Sequence, residues 1–371
     1  MQMTEEIKAT HSVPSDLKQI PIVWKYELLK YLRSKRLVAS LAIAVVVLGL
    51  LYALPPALGQ QYSGTDSGAA LYMLPAETFP GGSGGPFNPT AAGIINRSQI
   101  DVATLVIYMD GDQYPAGSGA NWFVSKLTFE GQSVYVVFFM QDVTGHVMTA
   151  SYDWYTAAES FETLFLNFAG ILVVVCATFF GADALVSEFQ NRTGYLIFPN
   201  PVRREVLFFG KFAASMTAGI LVMTLFYGVL AGLSAYTARG IDDDYILSYA
   251  IALEYLLAVM AVAYLISTLL KGTTGATVLT FFLFIMILPM VDAISLFTGT
   301  KIDASLTFAS GALIYILLDP YPTDWTQEYP GGFTFSNFYP DPSTAAIVML
   351  GYAVVAVLVS LVLFKRKQLV G

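Results

Sequence analysis

Residues 188–211 read EFQNRTGYLIFPNPVRREVLFFGK, a segment with two carboxylates, four basic residues and two prolines. It lies between two long apolar runs in a chain of which only 12% is charged. A loop of this kind between hydrophobic stretches marks the face on which a membrane chain keeps its cations. Working outward from it fixes the topology. With 56% hydrophobic residues and a mean hydropathy of +0.61, the chain holds more apolar side chains than a soluble core of this length requires. Six runs are long enough to cross a hydrocarbon layer, for which roughly 20 residues are needed: Leu37 to Leu58, Leu164 to Val186, Phe212 to Tyr236, Leu247 to Leu270, Ala276 to Phe297 and Ala345 to Phe364. Each is expected to be a helix, because a helix satisfies its own backbone hydrogen bonds in lipid.

Charge gives the orientation. With six crossings, fifteen of the nineteen Lys and Arg residues fall on one side, which holds both termini, and only Arg97, Lys126, Arg239 and Lys301 fall on the other. By the positive-inside rule both termini are cytoplasmic. The far side carries eighteen of the 27 carboxylates, so the acidic pI of about 4.8 belongs to the exterior. That distribution is consistent with a solvated outer surface and says little about nucleic acid, which is not expected as a partner. The expected fold is an α-helical polytopic membrane protein of the cell (plasma) membrane with six transmembrane helices. A small β-rich extracytoplasmic domain is expected between the first two.

The chain divides as follows. Residues 1–36 form a cytoplasmic N-terminus, irregular to Pro21; from Ile22, the spacing of Ile22, Val23, Tyr26, Leu29, Leu32 and Arg33 predicts an amphipathic helix on the inner leaflet. Residues 37–58 are the first span, read as an uncleaved anchor. Residues 59–163 are the outer domain. Its first part, Gln60 to Pro89, rich in Gly, Ser and Pro, predicts loop; strands are expected at Val102 to Tyr108, Trp122 to Thr128, Ser133 to Met140 and His146 to Ser151, each near turn signals. Residues 164–297 hold spans two to five and the cytoplasmic loop 188–211. Residues 298–344 return to the outside, with the thirteen-residue run Leu306 to Leu318 predicting an interfacial or re-entrant helix and the aromatic tail after it a cap on the outer domain. Residues 345–371 are the last span and a basic tail.

The familiar chemistries are missing. No G-x-x-x-x-G-K-[ST] phosphate loop occurs, and neither HExxH nor G-x-S-x-G is present, so the chain has no enzyme signature of these kinds. Its one cysteine, Cys176, and two distant histidines, His11 and His146, offer no metal cluster. Asn96-Arg97-Ser98 is an acceptor pattern for glycosylation at Asn96. Three carboxylates, Asp183, Glu254 and Asp292, fall within spans, where acids are costly and are functional candidates by default. Within the loop, Asn200-Pro201 reads as a helix start leading through Val202 to Gly210 into the third span.

Glu188, Arg192-Thr193-Gly194-Tyr195-Leu196, Pro199-Asn200-Pro201-Val202-Arg203-Arg204 and Gly210-Lys211, in that order, resemble the signature of the ABC type-2 permeases. The resemblance implies the transmembrane subunit of an ABC exporter, working as a dimer with a second copy or a paralogue. Each copy would dock a separate ATP-binding subunit, which holds the ATP and Mg. It marks Glu188, Arg192, Gly194, Pro201, Arg203, Arg204 and Lys211 as the coupling segment, with the short loop at Lys271 as a second contact. The outer domain lies outside the resemblance. It leaves open an alternative: a non-transporting transmission protein of the same type, acting on an extracytoplasmic protein partner through that domain.

Overall fold

The computed structural model describes residues 16–75, 90–95, 97, 99–115, 121–129, 132–190, 203–329 and 333–366. Six helical stretches are long and apolar enough to cross a membrane: Lys35–Ala57, Ala158–Phe180, Arg204–Thr237, Tyr245–Leu269, Thr273–Thr298 and Pro342–Arg366, called here the first to sixth spans. The third has 34 residues, about 50 Å of helix against a hydrocarbon layer of about 30 Å, so it projects from the membrane. It begins at Arg204, after an extended Arg203, three residues later than the start read from Asn200-Pro201, which lie outside the described residues. The second span breaks at Asn167 and Phe168, and its first segment starts at Ala158, ahead of the purely apolar run.

The fourth span is the hub. It packs against the second, third and sixth, and Tyr255, Leu256, Val259, Met260 and Tyr264 along it are buried. The fifth span is the least enclosed and changes character midway. Leu283–Ile287 forms a π-helix in which the Leu288 amide bonds the Leu283 carbonyl, five residues back. Pro289, two residues beyond the π-turn, has no amide to continue the α-helical ladder, a recognised cause of such an irregularity. The span ends on Gly299, whose φ of +66° suits a residue without Cβ.

Helix α1 (Asp16–Leu32) precedes the first span and starts earlier than the sequence suggested, carrying Pro21 within it. Ser34 separates the two helices, its Oγ accepting from the Leu37 amide. α1 lies along the inner part of the third span: Trp24 Nε1 donates to Thr217 Oγ1 at 3.0 Å. Gly210 makes that approach feasible, since a Cβ there would stand 2.5 Å from Val23 Cγ1. Of the face read from the sequence, Ile22, Tyr26, Leu29 and Leu32 are exposed and suit an interfacial position, whereas Val23 packs on the third span at Gly210.

Residues between the first two spans build two antiparallel sheets, ordered β1-β8-β4-β5 and β2-β3-β7-β6. The strands are β1 Ser63–Ala70, β2 Tyr72–Pro75, β3 Ala91–Ile95, β4 Val106–Met109, β5 Asp112–Tyr114, β6 Trp122–Phe129, β7 Gln132–Phe139 and β8 Met148–Tyr155. Ile95, Val137 and Phe139 from one sheet meet Ile107, Met148 and Ala150 from the other in a shared core. The loop reading of Gln60 to Pro89 is thus corrected over β1 and β2: Ser63 to Asp66 and Ala69 to Ala70 pair with β8, where small residues fit an edge strand. The GGSGGPFNP segment lies outside the described residues. Contacts that tie the sandwich to the spans include an Arg239–Asp101 ion pair and the Tyr52–Tyr62–Phe161 aromatic cluster.

After the fifth span, the short apolar run forms two helical pieces, Leu306–Ser310 and Ala312–Tyr315, set against the fourth and sixth spans. Among the described residues the aromatic tail packs on the fifth span rather than as the expected cap on the sandwich. It forms a hairpin, β9 Trp325–Tyr329 and β10 Phe333–Asn337, seated on the end of the fifth span with Phe335 edge-on to Phe297.

Candidate functional site

The stretch entering and leaving loop 188–211 is held by buried charge. Lys211 lies about two turns inside the third span and is 1% exposed, so it is not part of an exposed basic surface. Its ammonium is 2.7 Å from Glu27 Oε1 on α1 and 2.7 Å from Glu188 Oε1 on the short helix Val186–Gln190. Lys30, one turn along α1, lies 3.6 Å from the other oxygen of Glu27, so two acids face two bases. Burial of an ammonium is tolerable only with such close, hydrogen-bonded partners.

Beside the triad a hydroxyl network fastens α1 to the span ends. Tyr31 Oη donates to the Phe180 carbonyl at 2.9 Å and lies 3.0 Å from Ser215 Oγ, which in turn is 2.7 Å from Tyr264 Oη. Burial pushes the Tyr31 phenol up to about 12, so it stays a neutral hydrogen-bonding group. Ser267 Oγ on the fourth span accepts from the Leu185 and Val186 amides at 3.1 and 3.0 Å. It thereby satisfies two donors at the start of the Glu188-bearing helix. Arg36 at the start of the first span pairs with Asp183 at 2.6 Å. Between these groups lies a cavity of about 530 Å³ bordered by Glu27, Arg36, Asp183, Ser187, Glu188 and Lys211. The arrangement makes the loop entrance, α1, the third span and the fourth span one mechanical unit.

Of the residues marked in the sequence, Glu188 and Lys211 come together here, and Asp183 stands beside them with its charge compensated. Arg203 is exposed at the N-terminal end of the third span and Lys271 in the turn before the fifth. Arg204 instead braces the sixth span. Its Nη1 donates to the Lys365 carbonyl at 2.8 Å, at the C-terminal turn of that span, where Lys365 itself pairs with Glu205. Arg192, Gly194 and Pro201, and also Asn96, lie outside the described residues. Glu254 and Asp292 are remote from the triad. Each keeps one buried carboxylate oxygen without a hydrogen-bond partner, and Asp292 accepts from Thr307 with the other.

Sequence reasoning missed Glu27, whose only signal is a carboxylate in register with Val23 and Tyr31 on one face of α1. It also missed Glu162, fully buried at the start of the second span, which accepts from Ser234 Oγ at 2.6 Å and the Asp242 amide at 3.3 Å. Among the described residues no group of three or more His, Cys, Asp or Glu side chains could hold a metal ion.

The family described as ABC-2 family transporter protein matches residues 20–369, from α1 through the last span. No curated protein matches the chain.

Proposed function

Since the chain belongs to the ABC-2 transporter family and is the multi-pass permease subunit of an ABC transporter, we propose that it is the membrane half of an exporter. In this reading a separate ATPase subunit binds ATP and Mg and docks on loop 188–211 and the Lys271 turn. Two permease copies pair in the cell membrane with their termini in the cytoplasm. The observation that carries the reading is the Glu27–Lys211–Glu188 triad: it joins the docking loop to a helix that runs the depth of the membrane. Displacement of the loop by a closing ATPase dimer would be delivered to the third span without slack, because packed elements move as units rather than deform.

The test is purification in mild detergent from the native membrane, with identification of what stays bound. Recovery of a phosphate-loop ATPase at near-equal amount is expected, with its loss in Arg203→Glu or Lys271→Glu. These exposed positions are cleaner than Arg204, which anchors the sixth span. Recovery of the intact permease alone, even after cross-linking, would refute the reading.

The transmission alternative gains support from the firm seating of the β sandwich on the spans through Arg239–Asp101. Deleting residues 60–155 separates the two: export through the spans survives the deletion, whereas an output delivered to an extracytoplasmic partner is lost.

A further inference from the structure

The π-helix of the fifth span forms one wall of a second cavity, of about 360 Å³, closed by the second and fourth spans and the short helix Leu306–Ser310. Its volume is within the range of small-molecule sites, roughly 300–1,000 Å³. One part of its lining is apolar, with Phe284, Ile285 and Val174; the other is polar, with Asn167, Thr307 and Asp292. Asp292 lies six residues before the end of the span, about 9 Å of helix, which places the cavity in the leaflet on the sandwich side.

Its electrostatics are one-sided. Thr307 satisfies one oxygen of Asp292, while the other is buried without a partner. The lining contains no Lys, Arg or His, and among the described residues none forms an ion pair with Asp292. A carboxylate at membrane depth is sustained by a counter-charge or a donor, and here the protein supplies only one hydroxyl. Beside the cavity, Met290, Val291 and Ile294 present an exposed apolar surface along the same helix. A π-turn is frequently found at a functional site, and this one supplies Phe284 and Ile285 to the lining that also holds the acid.

We propose that this cavity binds an amphiphilic ammonium, entering sideways from the membrane, with its N–H groups on the Asp292 carboxylate that lines the cavity and its alkyl chain along the fifth span. The combination of uncompensated acid and adjoining apolar surface selects that chemistry over anions and over fully polar cations. An ammonium of this kind has two sources, an aminophospholipid of the bilayer or a free long-chain amine. The inference goes beyond the exporter reading and does not depend on ATP or transport.

Binding of tritiated dodecylamine to the full chain in phosphatidylcholine nanodiscs, with empty discs subtracted, tests it. Saturable binding is expected, weakened about tenfold or more in Asp292→Asn. Ile285→Trp, which fills the cavity and keeps the carboxylate, is expected to weaken it similarly, with melting temperatures of both variants near that of the parent. Dodecanoate should not compete. Adding phosphatidylethanolamine to the discs assigns the source: competition points to the bilayer lipid and its absence to a free amine, and either supports the site. Undiminished binding in both well-folded variants, no saturable component, or equal competition by dodecanoate would overturn it.

Discussion

Replacing Lys211 by methionine keeps the length and apolar stem of the side chain and removes only its charge. The ammonium is 2% exposed, Glu188 7% and Glu27 16%, and both contacts are 2.7 Å. Breaking a buried ion pair from one side costs about 3–5 kcal/mol, because the abandoned charge stays buried. Glu27 keeps Lys30 and some solvent, while Glu188 loses its 2.7 Å contact with a buried ammonium, and the low end, about 3 kcal/mol, is expected. For a chain of 371 residues that corresponds to a fall of roughly 4 °C in melting temperature. The assay is tryptophan-fluorescence unfolding of the purified protein in detergent. Lys211→Met/Glu188→Gln should melt above Lys211→Met, because the second change removes the carboxylate charge whose buried ammonium is gone. Raising salt should alter the difference little, since screening acts on exposed pairs. A Lys211→Met protein within about 1 kcal/mol of the parent, or a double variant less stable than the single, would refute the reasoning.

Three further outcomes follow from the same geometry. Gly210→Ala should loosen α1 by about 1–3 kcal/mol, because the new Cβ meets both Cγ1 and Cβ of Val23 at 2.5 and 2.6 Å; in proteolysis of the N-terminus, Val23→Gly should rescue it while Val23→Ala, which keeps Cβ, should not. Ser267→Ala should cost about 1 kcal/mol or more by stranding the Leu185 and Val186 amides, read as faster hydrogen exchange confined to that segment. In the sandwich, the Arg97 guanidinium holds the Asp66 carboxyl below the usual carboxylate range. Its contribution is therefore present above about pH 4, the unfolded value, and is lost as pH falls through the folded one. Arg97→Ala, which also removes the guanidinium stacked 4.1 Å from Trp154, should lower stability at neutral pH and flatten the acid-side loss below pH about 4. An unchanged acid limb in Trp154 fluorescence would contradict that assignment.

The spans are legible because lipid imposes one requirement on every one of them: about 20 apolar residues in a helix. Residues such as Leu247 to Leu270 declare themselves by length alone. Strands β6, β7 and β8 are legible through β-branched and aromatic residues between turns. β1 and β2 are not, because Ser63-Gly64-Thr65-Asp66 has the composition of a loop and becomes a strand only through its pairing with β8, nearly ninety residues on. The site divides in the same way. Glu188 and Lys211 stand out within one loop, whereas Glu27 joins them from 184 residues away, a contact that no local pattern encodes. Asp292 is visible as an acid in a span, but its uncompensated state emerges only once its neighbours are assembled around it.

The central claim is that α1, the loop entrance and the third span move as one body. Trp24→Cys/Thr217→Cys, at the hydrogen-bonded α1–third span contact, can be bridged by a short bis-thiol reagent, and the native Cys176 is buried and does not compete. In a reconstituted complex with the ATPase partner, the account predicts that bridging leaves permease-stimulated ATP hydrolysis and ATP-driven transport at the unbridged level. Loss of both on bridging, with recovery on reduction, would show that α1 must slide against the third span during the cycle and would contradict it.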